Sequence, residues 1–248
     1  SRPGADDGRV LPAPSFPGNP MRRPLALLLL AAAAAPLIAA DAELPPLKKG
    51  DRIVFLGDSI TQAGVGSKGY VTLVKNQLAE KHKDLEIEVI GAGISGNKVP
   101  DLQRRLDKDV LARKPTLVVI YIGINDVWHG EKDPARGTPK DKFEGGLKEI
   151  VKKIQDGGAR VVLCTPTVIG EKKENKLDPL LDEYADLSRG VAKETGSPLC
   201  DLRKAFRDHL AKTNADDKEK GVLTYDRVHL NEAGNKLVAD TVLGVIAK

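Results

Sequence analysis

The chain has 248 residues, 41% hydrophobic and 30% charged, enough to bury one sizeable core without help from metals or disulfides. Its net charge of +4 comes from 39 Lys+Arg interspersed with 35 Asp+Glu, and no basic run exceeds two residues, which argues against a nucleic-acid partner. Two cysteines exclude a disulfide scaffold, and with four histidines they leave little material for a metal cluster; H-E-x-x-H and a P-loop are absent too, and neither a metal nor an organic cofactor is expected.

Residues 1–20 are rich in Pro, Gly and Asp and carry no helical or strand period, so they read as a disordered or upstream extension. Met21, the only methionine, is followed by Arg22, Arg23 and an apolar run from Leu25 to Ala40 that Pro36 interrupts. Ala40-Asp41-Ala42 ends it with small residues. A basic start, a short greasy segment and an A-x-A end have the layout of a signal peptide over 21–42, cut after Ala40 or Ala42. The run is shorter than the roughly 20 residues that a membrane span needs. The expectation is a single domain over 43–248, secreted or periplasmic, with no membrane contact after cleavage.

From there, apolar strand-like runs alternate with amphipathic stretches. The runs are Arg52–Leu56, Glu86–Ile90, Leu117–Ile122, Ala159–Cys164 and Pro198–Cys200. Helix-period stripes fall at Tyr70–Lys83, Pro100–Arg113, Asp141–Gln155, Asp178–Thr195 and Asn231–Ala247. Near-continuous Val, Ile and Leu in the strands signal a parallel sheet covered on both faces. The predicted fold is therefore a three-layer α/β/α sandwich with a five-stranded parallel sheet. Ligands of such sheets bind beyond the carboxyl ends of the strands, so the segments after the strands matter most.

After the first run comes Gly57-Asp58-Ser59-Ile60-Thr61. A serine at a strand-to-helix junction presents its Oγ at the sheet edge, although Ser59 or Thr61 also suits a helix N-cap. After the second come Gly91-Ala92-Gly93-Ile94-Ser95-Gly96-Asn97, and after the third Gly123-Ile124-Asn125-Asp126. Trp128 and His129 follow directly and are expected to line or roof a cleft. The Lys/Glu-rich stretches 169–176 and 212–221 read as solvated. Cys164 and Cys200 end two successive strands; a disulfide and two buried thiols both fit them. Before the last helix stands Asp226-Arg227-Val228-His229. A carboxylate three residues from an imidazole shares a face of one helical turn and suits serine activation.

Residues 91–96 also match G-x-G-x-x-G, the dinucleotide fingerprint. The motif sits on the second strand unit and lacks an acidic residue about 20 positions on, which counts against that reading.

Together, the blocks Gly57-Asp58-Ser59-Ile60, Ile94-Ser95-Gly96-Asn97, Gly123-Ile124-Asn125-Asp126 and Asp226-Arg227-Val228-His229 resemble those of the SGNH hydrolases, also called GDSL esterase/lipases. The resemblance runs from Arg52 to the last helix. It implies Ser59 as nucleophile, His229 as general base and Asp226 as its orienting carboxylate. The Ser59 and Gly96 amides and the Asn125 side chain would form the oxyanion hole. A flavodoxin-like strand order 2-1-3-4-5 would bring their loops together. Two departures stand out: Gly91 occupies a place where the family often has Asn, and Arg227 one where it often has Gly, so that Arg227 would narrow the cleft or contact an anion.

The implied activity is hydrolysis of short-chain carboxylic esters, with an acetyl esterase on carbohydrate esters favoured by the short connections and the expected export. The expected partner is thus a small-molecule or glycan ester. A lysophospholipase or thioesterase of the same family, or a non-catalytic exported binding module, is the alternative.

Overall fold

The computed structural model describes residues 12, 43–131 and 133–247; apart from residue 12, the expected extension and leader lie outside the described residues. Among the described residues no helix is long and apolar enough to cross a membrane.

Five strands, β1 (Arg52–Gly57), β2 (Glu88–Gly93), β3 (Leu117–Tyr121), β4 (Arg160–Cys164) and β5 (Leu199–Cys200), form one parallel sheet in the order β2-β1-β3-β4-β5. Ile53 to Leu56 and Leu117 to Ile120 are buried throughout, as a sheet covered on both faces requires. Among the described residues, eight α-helices surround it: α1 (Ser59–Gly64), α2 (Tyr70–Lys81), α3 (Val99–Asp109), α4 (Ile124–Trp128), α5 (Lys140–Asp156), α6 (Asp178–Thr195), α7 (Leu202–Thr213) and α8 (Glu232–Ile246). Helix α8 packs against α2 and α7, while α5 packs between α3 and α6. The right-handed crossover from β1 to β2 runs one way along the sheet and those from β2 through β5 run the other way, which puts α2 and the group α3, α5 and α6 on opposite faces.

The register fixes where the chemistry can gather. Gly57, the last residue of β1, pairs with Gly93 on one side and Tyr121 on the other. The loops after β1, β2 and β3 therefore leave the sheet side by side.

Several elements differ from the sequence reading. Strand β2 starts two residues later than expected, after a left-handed turn at Glu86, and runs on through Gly93. It can do so because α1 lies against its end: a Cβ on Gly93 would come within 2.1 Å of the Gln62 amide nitrogen. The first two glycines of the apparent dinucleotide fingerprint are thus strand residues that admit a helix, not a phosphate loop. Helices α1 and α4 have six and five residues, too few to show a period. The stretch 169–176 is not uniformly solvated, since Ile169 and Glu171 are buried. Cys164 and Cys200 are register partners across β4 and β5, and both are buried free thiols.

Candidate active site

Ser59 opens α1 immediately beyond β1. Asp58, rather than Ser59 or Thr61, is the N-cap: its Oδ1 accepts from the Ile60 amide at 2.9 Å. The Ser59 hydroxyl is left for another partner, the imidazole of His229. His229 Nε2 lies 2.8 Å from Ser59 Oγ, and its Nδ1 lies 2.7 Å from Asp226 Oδ2. With Nδ1–H donating to the carboxylate, Nε2 is the acceptor for the serine proton.

Asp226 and His229 do not share a helical turn. They sit in a tight reversal closed by an isolated antiparallel bridge between Thr224 and Leu230. Asp226 Oδ1 accepts from the amides of Val228 (3.1 Å) and His229 (2.8 Å), so this carboxylate shapes its own loop. Partial burial pushes its pKa up, but the His229 backbone and ring hydrogen bonds outweigh that and hold it below the usual carboxylate value. Arg227 stands in the left-handed region at φ 88°, and its side chain pairs with Glu219 at 2.7 Å. The expected role in narrowing the cleft or meeting an anion gives way to this ion pair.

The other expected donors gather beside the serine. Ile94 to Asn97 form a β-turn closed by the Asn97 amide on the Ile94 carbonyl, with Gly96 at φ 75°, a backbone shape that glycine adopts freely. The Asn125 side-chain amide donates to the Asn97 carbonyl at 3.0 Å, which orients it and leaves its second N–H for a ligand. The Ser59 amide, in the first turn of α1, has no intrahelical acceptor.

Two residues that the sequence reading passed over brace this cluster. The Arg105 guanidinium donates to Asn97 Oδ1 (2.6 Å) and to the Gly57 carbonyl (2.7 Å), tying the second loop to the end of β1. Gln62 Oε1 accepts from the Ser95 amide at 2.6 Å. Arg105 is an ordinary polar residue on the amphipathic helix α3 and Gln62 one on the short helix α1, and nothing in their spacing marks them.

Aromatic rings enclose the imidazole. Tyr225 stacks on it at 5.8 Å with 17° between planes, and Trp128 meets it edge-on at 6.4 Å, which supports the expectation that Trp128 lines the site. Two buried carboxyls lie behind. Burial, with the neighbouring Asp126 charge, raises Asp58 to about 7; burial raises Asp126 to about 6. Asp126 Oδ1 accepts from the Val99 amide at 3.1 Å.

A serine–imidazole–carboxylate relay at the carboxyl end of a parallel sheet, with hydrogen-bond donors gathered beside the hydroxyl, defines a serine acyl hydrolase. The chain belongs to the GDSL-like lipase/acylhydrolase family, whose model matches residues 55–237. It is 33% identical over 208 residues to an acetylxylan esterase of Geobacillus stearothermophilus, covering 78% of this chain and 93% of that one. It is 26% identical over 215 residues to the human isoamyl acetate-hydrolyzing esterase 1 homolog, covering 79% and 82%. Among solved structures, the acetyl xylan esterase AlAXEase is 44% identical, with a TM-score of 0.75 over 78% of this chain and 98% of that one.

Proposed function

We propose that the protein is an acetyl esterase that removes short acyl groups from carbohydrate esters, with Ser59 as nucleophile, His229 as general base and Asp226 as the carboxylate that orients it. The observation that carries this reading is the 2.8 Å contact between Ser59 Oγ and His229 Nε2. Ser59 attacks the ester carbonyl as its proton passes to Nε2, and Asp226 stabilises the resulting imidazolium. The tetrahedral oxyanion is held by the Ser59 and Gly96 amides and the free N–H of Asn125. The intermediate collapses as His229 protonates the leaving alcohol. Water then attacks the acyl-enzyme, with His229 again taking the proton, and release of acetate restores Ser59.

Two features favour a sugar-borne acetyl group. Two relatives named as acetylxylan esterases match over 93% and 98% of their own length. Tyr225, 59% exposed beside the imidazole, offers an aromatic face on which the C–H face of a sugar ring can rest. Export through a leader at 21–42 is part of this reading, because polysaccharide esters lie outside the cytoplasm.

The test is acetate release from acetylated xylan, set beside p-nitrophenyl esters of increasing acyl length and a lysophospholipid, with a fluorophosphonate probe to label the serine. Labelling that depends on Ser59, fastest turnover on acetyl esters and release from xylan are expected. Turnover that rises with chain length would replace the acetyl reading with a lipase-like one. An unlabelled, inert protein would point to a binding module.

A further inference from the structure

The loop that carries Asp226 and His229 contains neither helix nor strand between Asn214 and Glu232 apart from the Thr224–Leu230 bridge. Something outside it must fix the imidazole to within a few tenths of an ångström of Ser59. The segment after β4 reaches it at the tip of the reversal and at its base. The Gly170 amide donates to the Arg227 carbonyl, between the two relay residues, at 2.7 Å. One residue on, the Glu171 side chain is only 2% exposed although it is a carboxylate. Its Oε2 accepts from the Val222 amide at 2.8 Å. Its Oε1 accepts from the Leu223 amide (2.8 Å), the Thr224 amide (2.5 Å) and the Thr224 hydroxyl (2.7 Å).

We infer that Glu171 is a positioning residue for the Asp226–His229 pair, acting through four hydrogen bonds to residues 222–224 at the base of the loop; the inference rests on the esterase reading above. A buried carboxylate with no cation as its partner among these contacts persists only where donors replace its hydration, and three successive amides and a hydroxyl do so here. The main chain is clamped as well: the Glu171 amide donates to the Glu219 carbonyl, and the Asn214 side chain donates to the Glu171 carbonyl, both at 2.9 Å. Thr224 is one residue from Tyr225, whose amide donates to the His229 carbonyl at 2.9 Å. A shift at residue 224 therefore passes directly to the imidazole.

Glu171→Gln keeps an oxygen for the three donors on one side but turns an N–H toward the Val222 amide. Glu171→Ala removes all four acceptor contacts. In the full chain, kcat on p-nitrophenyl acetate is expected to fall on the order of 10²-fold for Glu171→Ala, the loss typical of a misplaced catalytic group, and by less for Glu171→Gln. KM should stay near the wild-type value, and fluorophosphonate labelling should slow in the same order. The downfield proton resonance of His229 Nδ1–H should be sharp in the wild type and broadened or shifted in both variants. Thermal melts establish that each variant is folded at the assay temperature; if Glu171→Ala is not, Glu171→Gln and Thr224→Val take its place. Folded variants with wild-type kcat and an unchanged resonance, or a loss confined to KM, would overturn the inference. An inert, unlabelled wild type would overturn the esterase reading instead, while the resonance would still decide the positioning role.

Discussion

The Oγ of Ser59 and the Nε2 of His229 meet at 2.8 Å although 170 residues separate them in the chain. The start of the helix after the first strand supplies one and the last loop of the domain the other, and no local segment holds them together. If this contact is the proton path, Ser59→Ala should lower kcat on p-nitrophenyl acetate on the order of 10⁴–10⁶-fold with little change in melting temperature. Steady-state kinetics beside a thermal melt check it, and near-wild-type turnover would remove the mechanism.

Asn125 is buried and fixed by the Asn97 carbonyl, so replacing it removes a donor already in place. Asn125→Ala is expected to cost about 10²–10³-fold in kcat, because only the transition state gains from that N–H. A change confined to KM would assign Asn125 to ground-state binding.

Like Asp126, Asp58 is one of the groups that make stability depend on pH. Its carboxyl has a pKa of about 7 in the folded protein against 3.8 for an unburied group. Between those values the folded protein keeps a proton that the unfolded chain has released, so this group's contribution to stability is greatest in acid and declines as pH rises toward 7. Asparagine caps a helix as well as aspartate and never ionises. Asp58→Asn should therefore melt above the wild type at pH 8, with the gap closing by pH 4. Melting curves across that range test it, and an offset that does not vary with pH would show that the charge is not responsible.

Tyr225 covers one face of the imidazole and is otherwise open to solvent. Tyr225→Ala should raise KM for acetylated xylo-oligosaccharides about 2–10-fold, as loss of one aromatic contact implies, and leave KM for p-nitrophenyl acetate nearly unchanged. Equal effects on both substrates would deny it a sugar-specific role.

The fold is legible because strands buried on both faces must be apolar throughout, as β1, β3 and β4 nearly are, and five strand-like runs separated by helical stripes admit few arrangements. The ends of elements were harder. The second strand continued into glycines that read as loop, because a helix packing at 2.1 Å from a would-be Cβ leaves no trace in composition. At the site, residues in short Gly-rich blocks were readable, since chemistry and tight turns restrict them. In sequence Arg227 reads as a cleft residue, yet its partner Glu219 lies eight residues upstream in a stretch without periodicity. Glu171 was hidden for the opposite reason: beside Lys172 and Lys173 it looks like surface charge, and only the folded loop supplies the amides that let it be buried.

Helix α8 follows the His229 loop and packs against α2, so the relay closes only when the end of the domain has docked onto its beginning. A ribosome releases Ser59 long before it releases the imidazole. Until then the hydroxyl is an unactivated alcohol. On the proposed mechanism, the nascent polypeptide would stay unreactive toward esters until that last docking.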